Sequence, residues 1–483
     1  MTQKSKTSHK NREFAVITYL FLACFVGMMA YFTYFQVEVS QDFINQSQNT
    51  RQDILEEKVV RGSIYSADGE VLAETIVKSD GSEVRNYPYD NLFFHVVGYS
   101  VQGKTGIESI ANFDLLRSHI SYADKVEKQL AGDQLPGDNV YTTLNYEVQK
   151  AAYDALGFYE GAVVVMEPST GKILAMVSKP DYNPNNVLAD WDYLTAEDND
   201  STVLLNRATQ GLYPPGSTFK IFTTLEYIHE NPDFAGYSFS CNGKYNSGEA
   251  VIHCYNNKSH GTVDLEESFA ESCNSSYSAI GLGLDAQRFN NLCDSLLFNS
   301  ELPTKFAYSK SSFSLAEDAD DAEIMQRAIG QGATLVTPFH MVLITSAIAN
   351  DGVLMEPYVI DHTENYLGTE VKSYSPTEYG RLISEEDAAI LQQYMEATVN
   401  YGTASALSGQ NYSAAGKTGS AEFSTETKDS HAWFVGYAHQ DGENDIAVAV
   451  IVEDSGSGSK YAVPIAKKVF DAYYAMLEDG TVE

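Results

Sequence analysis

The sequence predicts an α+β fold behind one apolar N-terminal helix, and three observations predict it. Apolar strand segments stand at Gly161–Val177 and, far downstream, at His431–Tyr437 and Ile446–Val452. Helical patterning fills the middle, so strands distant in sequence would share a sheet flanked by helices. The third observation is Phe14–Phe35, a run of 22 positions without a charge. Composition agrees with a folded chain. Of 483 residues, 43% are hydrophobic and 12% aromatic, enough for a sizeable core. The length fits two or three domains.

Charge and cysteine content narrow the function. Lys and Arg number 31 against 66 Asp and Glu, a net charge of −35. That balance excludes a nucleic-acid binder, which needs clustered cations to neutralise phosphates. Five cysteines, Cys24, Cys241, Cys254, Cys273 and Cys293, are too few for a disulfide-dense scaffold.

The elements follow in order. As a helix, Phe14–Phe35 spans about 33 Å, enough for a bilayer core of about 30 Å. Lys4, Lys6, Lys10 and Arg12 precede it, so the basic tip stays in the cytoplasm and the rest lies outside. A cleaved signal peptide would have a shorter apolar region ending in small residues, whereas this one ends Tyr-Phe-Gln-Val-Glu-Val. A lipoprotein site at Cys24 is excluded by the apolar residues that continue after it. We therefore expect a single-pass anchor.

Residues 36 to about 155 are polar, strand-like and turn-rich. Arg61–Ala73 reads as strand, Asp-Gly turn and strand. In Asn145–Leu156 the apolar Val148, Ala152 and Leu156 recur at helical spacing. Gly161–Val177 is a hairpin around Pro-Ser-Thr-Gly. A helix closes the chain from about Ala462 to Leu477. The acidic run Glu317, Asp318, Asp320, Asp321 and Glu323 lacks calcium-loop spacing and reads as a solvated loop.

Candidate chemistry begins at Tyr213-Pro-Pro-Gly-Ser217-Thr-Phe-Lys220. The Pro-Pro-Gly run stops any upstream helix, so a new one starts near Ser217 and sets Ser217 and Lys220 on one face. A serine hydroxyl needs a base, and a lysine kept neutral by an apolar setting can serve. Alone, Ser-x-x-Lys is a common exposed pattern. Ser272-Cys273-Asn274 and Lys417-Thr418-Gly419-Ser420 follow in the order that marks penicillin-binding proteins and class A β-lactamases.

The chain resembles the class B penicillin-binding proteins, monofunctional peptidoglycan D,D-transpeptidases, and their compact subfamily in particular. The likeness runs through Arg61-Gly62, Asp68-Gly69, Gly106-Ile107-Glu108, Glu167–Gly171, Asn206-Arg207-Ala208, Gly330-Gln331-Gly332, Thr337-Pro338 and Trp433–Tyr437. It implies a cytoplasmic tail at 1–13, a transmembrane helix at 14–35, a small β-rich pedestal at 36–155 and a transpeptidase domain at 156–483. That domain would hold an antiparallel five-stranded sheet flanked by helices, with an all-helical subdomain. The pedestal is short for the class, and no C-terminal wall-binding module is expected.

The resemblance also implies roles. Ser217 would attack the penultimate D-Ala of a stem peptide and Lys220 would be its base. Ser272 would relay a proton to the leaving amine, Asn274 would hold Lys220 and the substrate amide, and Lys417 would add positive charge. Thr418, Gly419 and Ser420 would bind substrate, with the amides of Ser217 and Ser420 as the oxyanion hole. Catalysis would need no cofactor. The implied partners are stem peptides, β-lactams, the membrane and a membrane-embedded (SEDS-type) glycan polymerase, with the catalytic part outside the bacterial cell membrane. The family serves elongation, division and sporulation alike. The alternative enzyme is an anchored serine β-lactamase or D-Ala-D-Ala carboxypeptidase, in which water resolves the acyl-enzyme. A non-catalytic scaffold would have lost one of these residues, and all are present.

Cys241, Cys254, His260 and Cys273 are separated by 13, 6 and 13 residues, and four such ligands could form a Cys₃His zinc site. The rival reading is a Cys241–Cys254 disulfide. His431, at the head of a strand, is expected to be a hydrogen-bonding structural residue.

Overall fold

A computed structural model describes residues 5–35, 56–422 and 430–478. Helix α1 (Ser5–Tyr34) contains the only span among the described residues long and apolar enough to cross a membrane, Phe14–Tyr34. It begins earlier than the charge-free run, because the basic segment before it is helical too. Residues 36–55, where the polar part opens, lie outside the described residues.

The pedestal is built on strands β1 (Ile64–Tyr65), β2 (Val71–Val77), β3 (Glu83–Asn86) and β4 (Asn139–Thr142). The Asp-Gly turn between β1 and β2 closes through Gly69, whose φ of 85° suits glycine. Helix α2 (Tyr146–Leu156) is capped by Asn145, which accepts from the Val148 amide, and buries Val148, Ala152 and Leu156 as the spacing requires. The hairpin follows as β5 (Gly161–Met166) and β6 (Ile173–Lys179).

The middle is helical, with α3 (Lys220–Glu230), α4 (Leu265–Ala270), α5 (Asn274–Gly281), α6 (Asp321–Ala328) and α7 (Pro338–Ala349). The acidic run is only half loop. Asp320 caps α6 by accepting from the Glu323 amide, and Asp321 and Glu323 occupy its first turn. Carboxylates are stabilised there by the free amides and the helix dipole, which is why the run starts a helix instead of staying solvated. Helix α7 is buried on nearly every side, as its uniformly apolar sequence demands.

Strands β7 (Ile360–Glu364) and β8 (Glu370–Ser373) then return to the pedestal. Its six-stranded sheet has the order β8-β7-β4-β1-β2-β3, with Thr363 opposite Val140. After α8 (Glu385–Asn400) come β9 (Ser413–Glu422), β10 (Ser430–His439), β11 (Ile446–Val452) and α9 (Gly458–Glu478). Helix α9 starts a turn before the expected Ala462. Its first residue, Gly458, sits against the Trp433 carbonyl, where a Cβ would come within 2.1 Å.

The second sheet has the order β9-β10-β11-β5-β6, antiparallel throughout. Alternate residues of its strands serve different cores. Val163, Val165, Val448 and Val450 face α2 and α9, while Val164, Met166, Ala447 and Ala449 face the core around α3 and α7. The division expected between 155 and 156 falls at the end of α2, whose apolar face packs in the core beneath this sheet.

Candidate active site

Ser217 sits not on α3 but on the 3-10 turn Gly216–Phe219 that leads into it. Gly216, at φ 53°, supplies the reversal after the two prolines. Three residues per 3-10 turn stack Ser217 over Lys220, and Lys220 Nζ lies 3.1 Å from Ser217 Oγ. Three backbone or ring contacts pin the turn. Tyr213 exchanges both backbone hydrogen bonds with Val336, the Gly216 amide donates to the Gly330 carbonyl, and Trp433 Nε1 donates to the Pro214 carbonyl at 3.0 Å. These contacts give the Gly330-Gln-Gly332 and Trp433–Tyr437 segments a structural reason.

Ser272 occupies an unusual backbone position. Helix α4 ends in a Schellman arrangement, the Ser272 amide donating to Phe269 and the Cys273 amide to Ser268. Glycine normally fills this left-handed place, yet Ser272 holds φ 55°. The strained reversal points its hydroxyl at Lys220, 3.1 Å away. Lys220 Nζ also donates to the Ser272 carbonyl at 2.9 Å and to Asn274 Oδ1 at 2.7 Å. Asn274 Nδ2 in turn donates to the His253 carbonyl at 3.0 Å, a partner with no local sequence signal.

Lys417 and Thr418 lie on β9, paired with Val435 and Phe434 of β10. Gly419 faces the Pro215 carbonyl and Gly216 faces Ser420, each so close that a Cβ would come within 2.9 Å. The Gly216–Phe219 turn therefore rests directly on the third-motif strand. Lys220 and Lys417 are both fully buried. Burial pushes the Lys220 amine down to about 7. Burial first, and the nearby Lys220 second, hold Lys417 well below the usual lysine range. His431 is half a strand away in another role. Its Nδ1 accepts from the Asp454 amide at 3.3 Å, and its ring packs edge-on against Tyr213.

The cysteines converge. The ligand atoms of Cys241, Cys254, His260 and Cys273 all lie within 4.8 Å of one another, and the thiols are free. Cys241 Sγ is 3.6 Å from Cys254 Sγ and 3.4 Å from His260 Nδ1, and Cys254 Sγ is 3.9 Å from Cys273 Sγ. A tetrahedron with metal–sulfur bonds of about 2.3 Å has sulfur–sulfur edges of about 3.8 Å, so the donor set fits zinc. Amides of Gly243, Ser275 and Ser276 point at the three sulfurs, as they do around thiolate ligands.

A serine within hydrogen-bond reach of a buried lysine, with a second serine and a second buried lysine close by, is an arrangement suited to a serine acyltransferase. The profile of the penicillin binding protein transpeptidase domain matches residues 161–471, and that of the penicillin binding protein A dimerisation domain matches residues 61–140. Peptidoglycan D,D-transpeptidase PbpA of Mycolicibacterium smegmatis is 31% identical over 477 residues, covering 92% of this chain and 96% of that protein. The solved D,D-transpeptidase domain of a peptidoglycan glycosyltransferase from Eggerthella lenta aligns with a TM-score of 0.76 at 32% identity, over 87% of this chain and 99% of that one. Penicillin-binding protein A from M. tuberculosis, solved as its penicillin G acyl-enzyme, aligns with a TM-score of 0.76 at 28% identity, over 86% and 99%. The chain belongs to the penicillin-binding protein transpeptidase family.

Proposed function

We propose that Ser217 is the acylated nucleophile of this peptidoglycan D,D-transpeptidase, with Lys220 as its base. The carrying observation is the buried Lys220 Nζ within hydrogen-bond reach of Ser217, Ser272 and Asn274 at once. A neutral amine has two protons and one lone pair. Its protons satisfy the Ser272 carbonyl and Asn274 Oδ1, and its lone pair is left for the Ser217 proton.

Ser217 Oγ attacks the carbonyl of the penultimate D-Ala as Lys220 takes its proton. The oxyanion is held by the amides of Ser217 and Ser420. Lys220 and Ser272 return the proton to the amine of the terminal D-Ala, the C–N bond breaks and D-Ala leaves. An amine from a neighbouring stem then attacks the ester, Ser217 regains its proton and the cross-link is made. Thr418 and Ser420 bind the terminal carboxylate and Lys417 adds positive charge beside Ser272, Gly419 leaving the approach open. No step requires a cofactor. β-Lactams, which carry a matching amide and carboxylate, acylate Ser217.

The finer setting is part of the same reading. The anchor holds the enzyme on the outer face of the bacterial cell membrane, with the basic tip inside. Anchor and pedestal meet a membrane-embedded glycan polymerase. Cys241, Cys254, His260 and Cys273 hold a structural zinc, supported by their tetrahedral spacing. Labelling the detergent-solubilised full chain with penicillin and mapping the adduct tests the core assignment. The adduct is expected on Ser217, and Ser217→Ala should lose both labelling and cross-linking; undiminished labelling of that variant would refute it.

A further inference from the structure

Between α8 and β9 the chain passes through Gly402-Thr403-Ala404, a segment with no part in the reaction described above. Gly402 lies flush against the end of α4, where a Cβ would come within 2.3 Å of the Ala270 carbonyl. That approach lets the Thr403 amide donate to the same carbonyl at 3.2 Å, two residues before Ser272. On its other side, Thr403 Oγ1 stands 2.5 Å from Thr418 Oγ1. One residue thus bridges the end of the second-motif helix and the third-motif strand.

Proton count decides what the hydroxyl pair can do. Each threonine hydroxyl has one proton, and a substrate carboxylate can only accept. If Thr418 donated to Thr403, it would present only lone pairs to the carboxylate. For Thr418 to bind it, Thr403 must be the donor within the pair. Thr418 is buried, so its own proton is then left for the carboxylate.

We propose that Thr403 is a positioning residue for carboxylate recognition, donating to Thr418 Oγ1 so that the Thr418 proton is turned toward the terminal carboxylate of stem peptide or penicillin. This rests on Thr418 being a carboxylate ligand. The hydrogen bond is made to one substrate group only. Its loss should therefore appear as a change in discrimination and not as a uniform fall in activity.

The test compares acylation of the full chain by benzylpenicillin and by its methyl ester, which hides the carboxylate, in Thr403→Val, Thr403→Ser and Thr418→Val. Loss of one such hydrogen bond should slow acylation by the acid about tenfold in Thr403→Val. The ester rate should hold, and Thr403→Ser should restore the acid rate. An equal fall for acid and ester, or no fall, would overturn the role of Thr403 while Thr418→Val still loses the preference for the acid. An unchanged preference in Thr418→Val would overturn the Thr418 assignment and this inference with it.

Discussion

Lys220 holds the protonation state on which the site turns. Burial pushes its amine down to about 7, and in the proposed mechanism only the neutral form takes the Ser217 proton. A lowered lysine pKa means the active base form grows as pH rises. Acylation by penicillin should be half-maximal near pH 7 and fall about tenfold for each further unit below it. A stopped-flow pH profile checks this, and a rate flat from pH 5 to 8 would remove Lys220 as the base. Lys417 depends on the same balance. In the proposed site a substrate carboxylate would favour its charged form, and a charged Lys417 would in turn disfavour protonation of Lys220. The sequence made all these residues legible through order and spacing. Thr403 and the His253 carbonyl were not, because neither a lone threonine nor a carbonyl has a pattern to find.

Elements set by local rules were legible and those set by distant contacts were not. Ile446–Val452 is a strand over the expected residues because an apolar run bounded by polar turns has no helical alternative at that length. No strand is expected at residues 360–373 from the apolar runs that mark the other strands. Those residues pair as β7 with β4, more than 200 positions upstream, and that pairing supplies what local propensity does not. The hairpin Lys244–Ser247 and Ala250–His253 is a third case. It has little core of its own, but Cys241 and Cys254 stand at its two feet and Cys273 lies between Ser272 and Asn274. A zinc there would fasten the hairpin to the second motif, in addition to the Asn274 link. Metal analysis of purified protein should give about one zinc per chain. Removing it with a chelator should lower the unfolding temperature and make the Cys241, Cys254 and Cys273 thiols reactive. A chain without stoichiometric zinc, carrying a Cys241–Cys254 peptide bridge, would sink the metal reading.

Across the whole molecule, the pedestal and the catalytic sheet share one core. Ile64, Leu72, Ile107 and Val140 of the pedestal belong to the same continuous cluster as Val164, Phe339 and Ala449. Backbone bonds stitch the junction, Thr143 donating to Val359 and Ile173 to Tyr358. Glu108 is the polar centre of the pedestal side, fully buried between Arg61 and Arg85 at 2.6 Å each. Burial alone would raise its carboxyl, and the two guanidinium groups outweigh that and leave it below the usual range. The −35 net charge lies mainly elsewhere, on the soluble surface; here two cations depend on one anion. Glu108→Ala strands both arginines without a counter-charge, which costs about 3–5 kcal/mol. Because the core is continuous, that loss should not remain in the pedestal. Denaturant midpoints read by penicillin labelling and by proteolysis of the pedestal should coincide in the parent and fall together in the variant. Labelling that survives at the parent midpoint while the pedestal is digested would mean two independent units, and the catalytic half would not need its pedestal to stand.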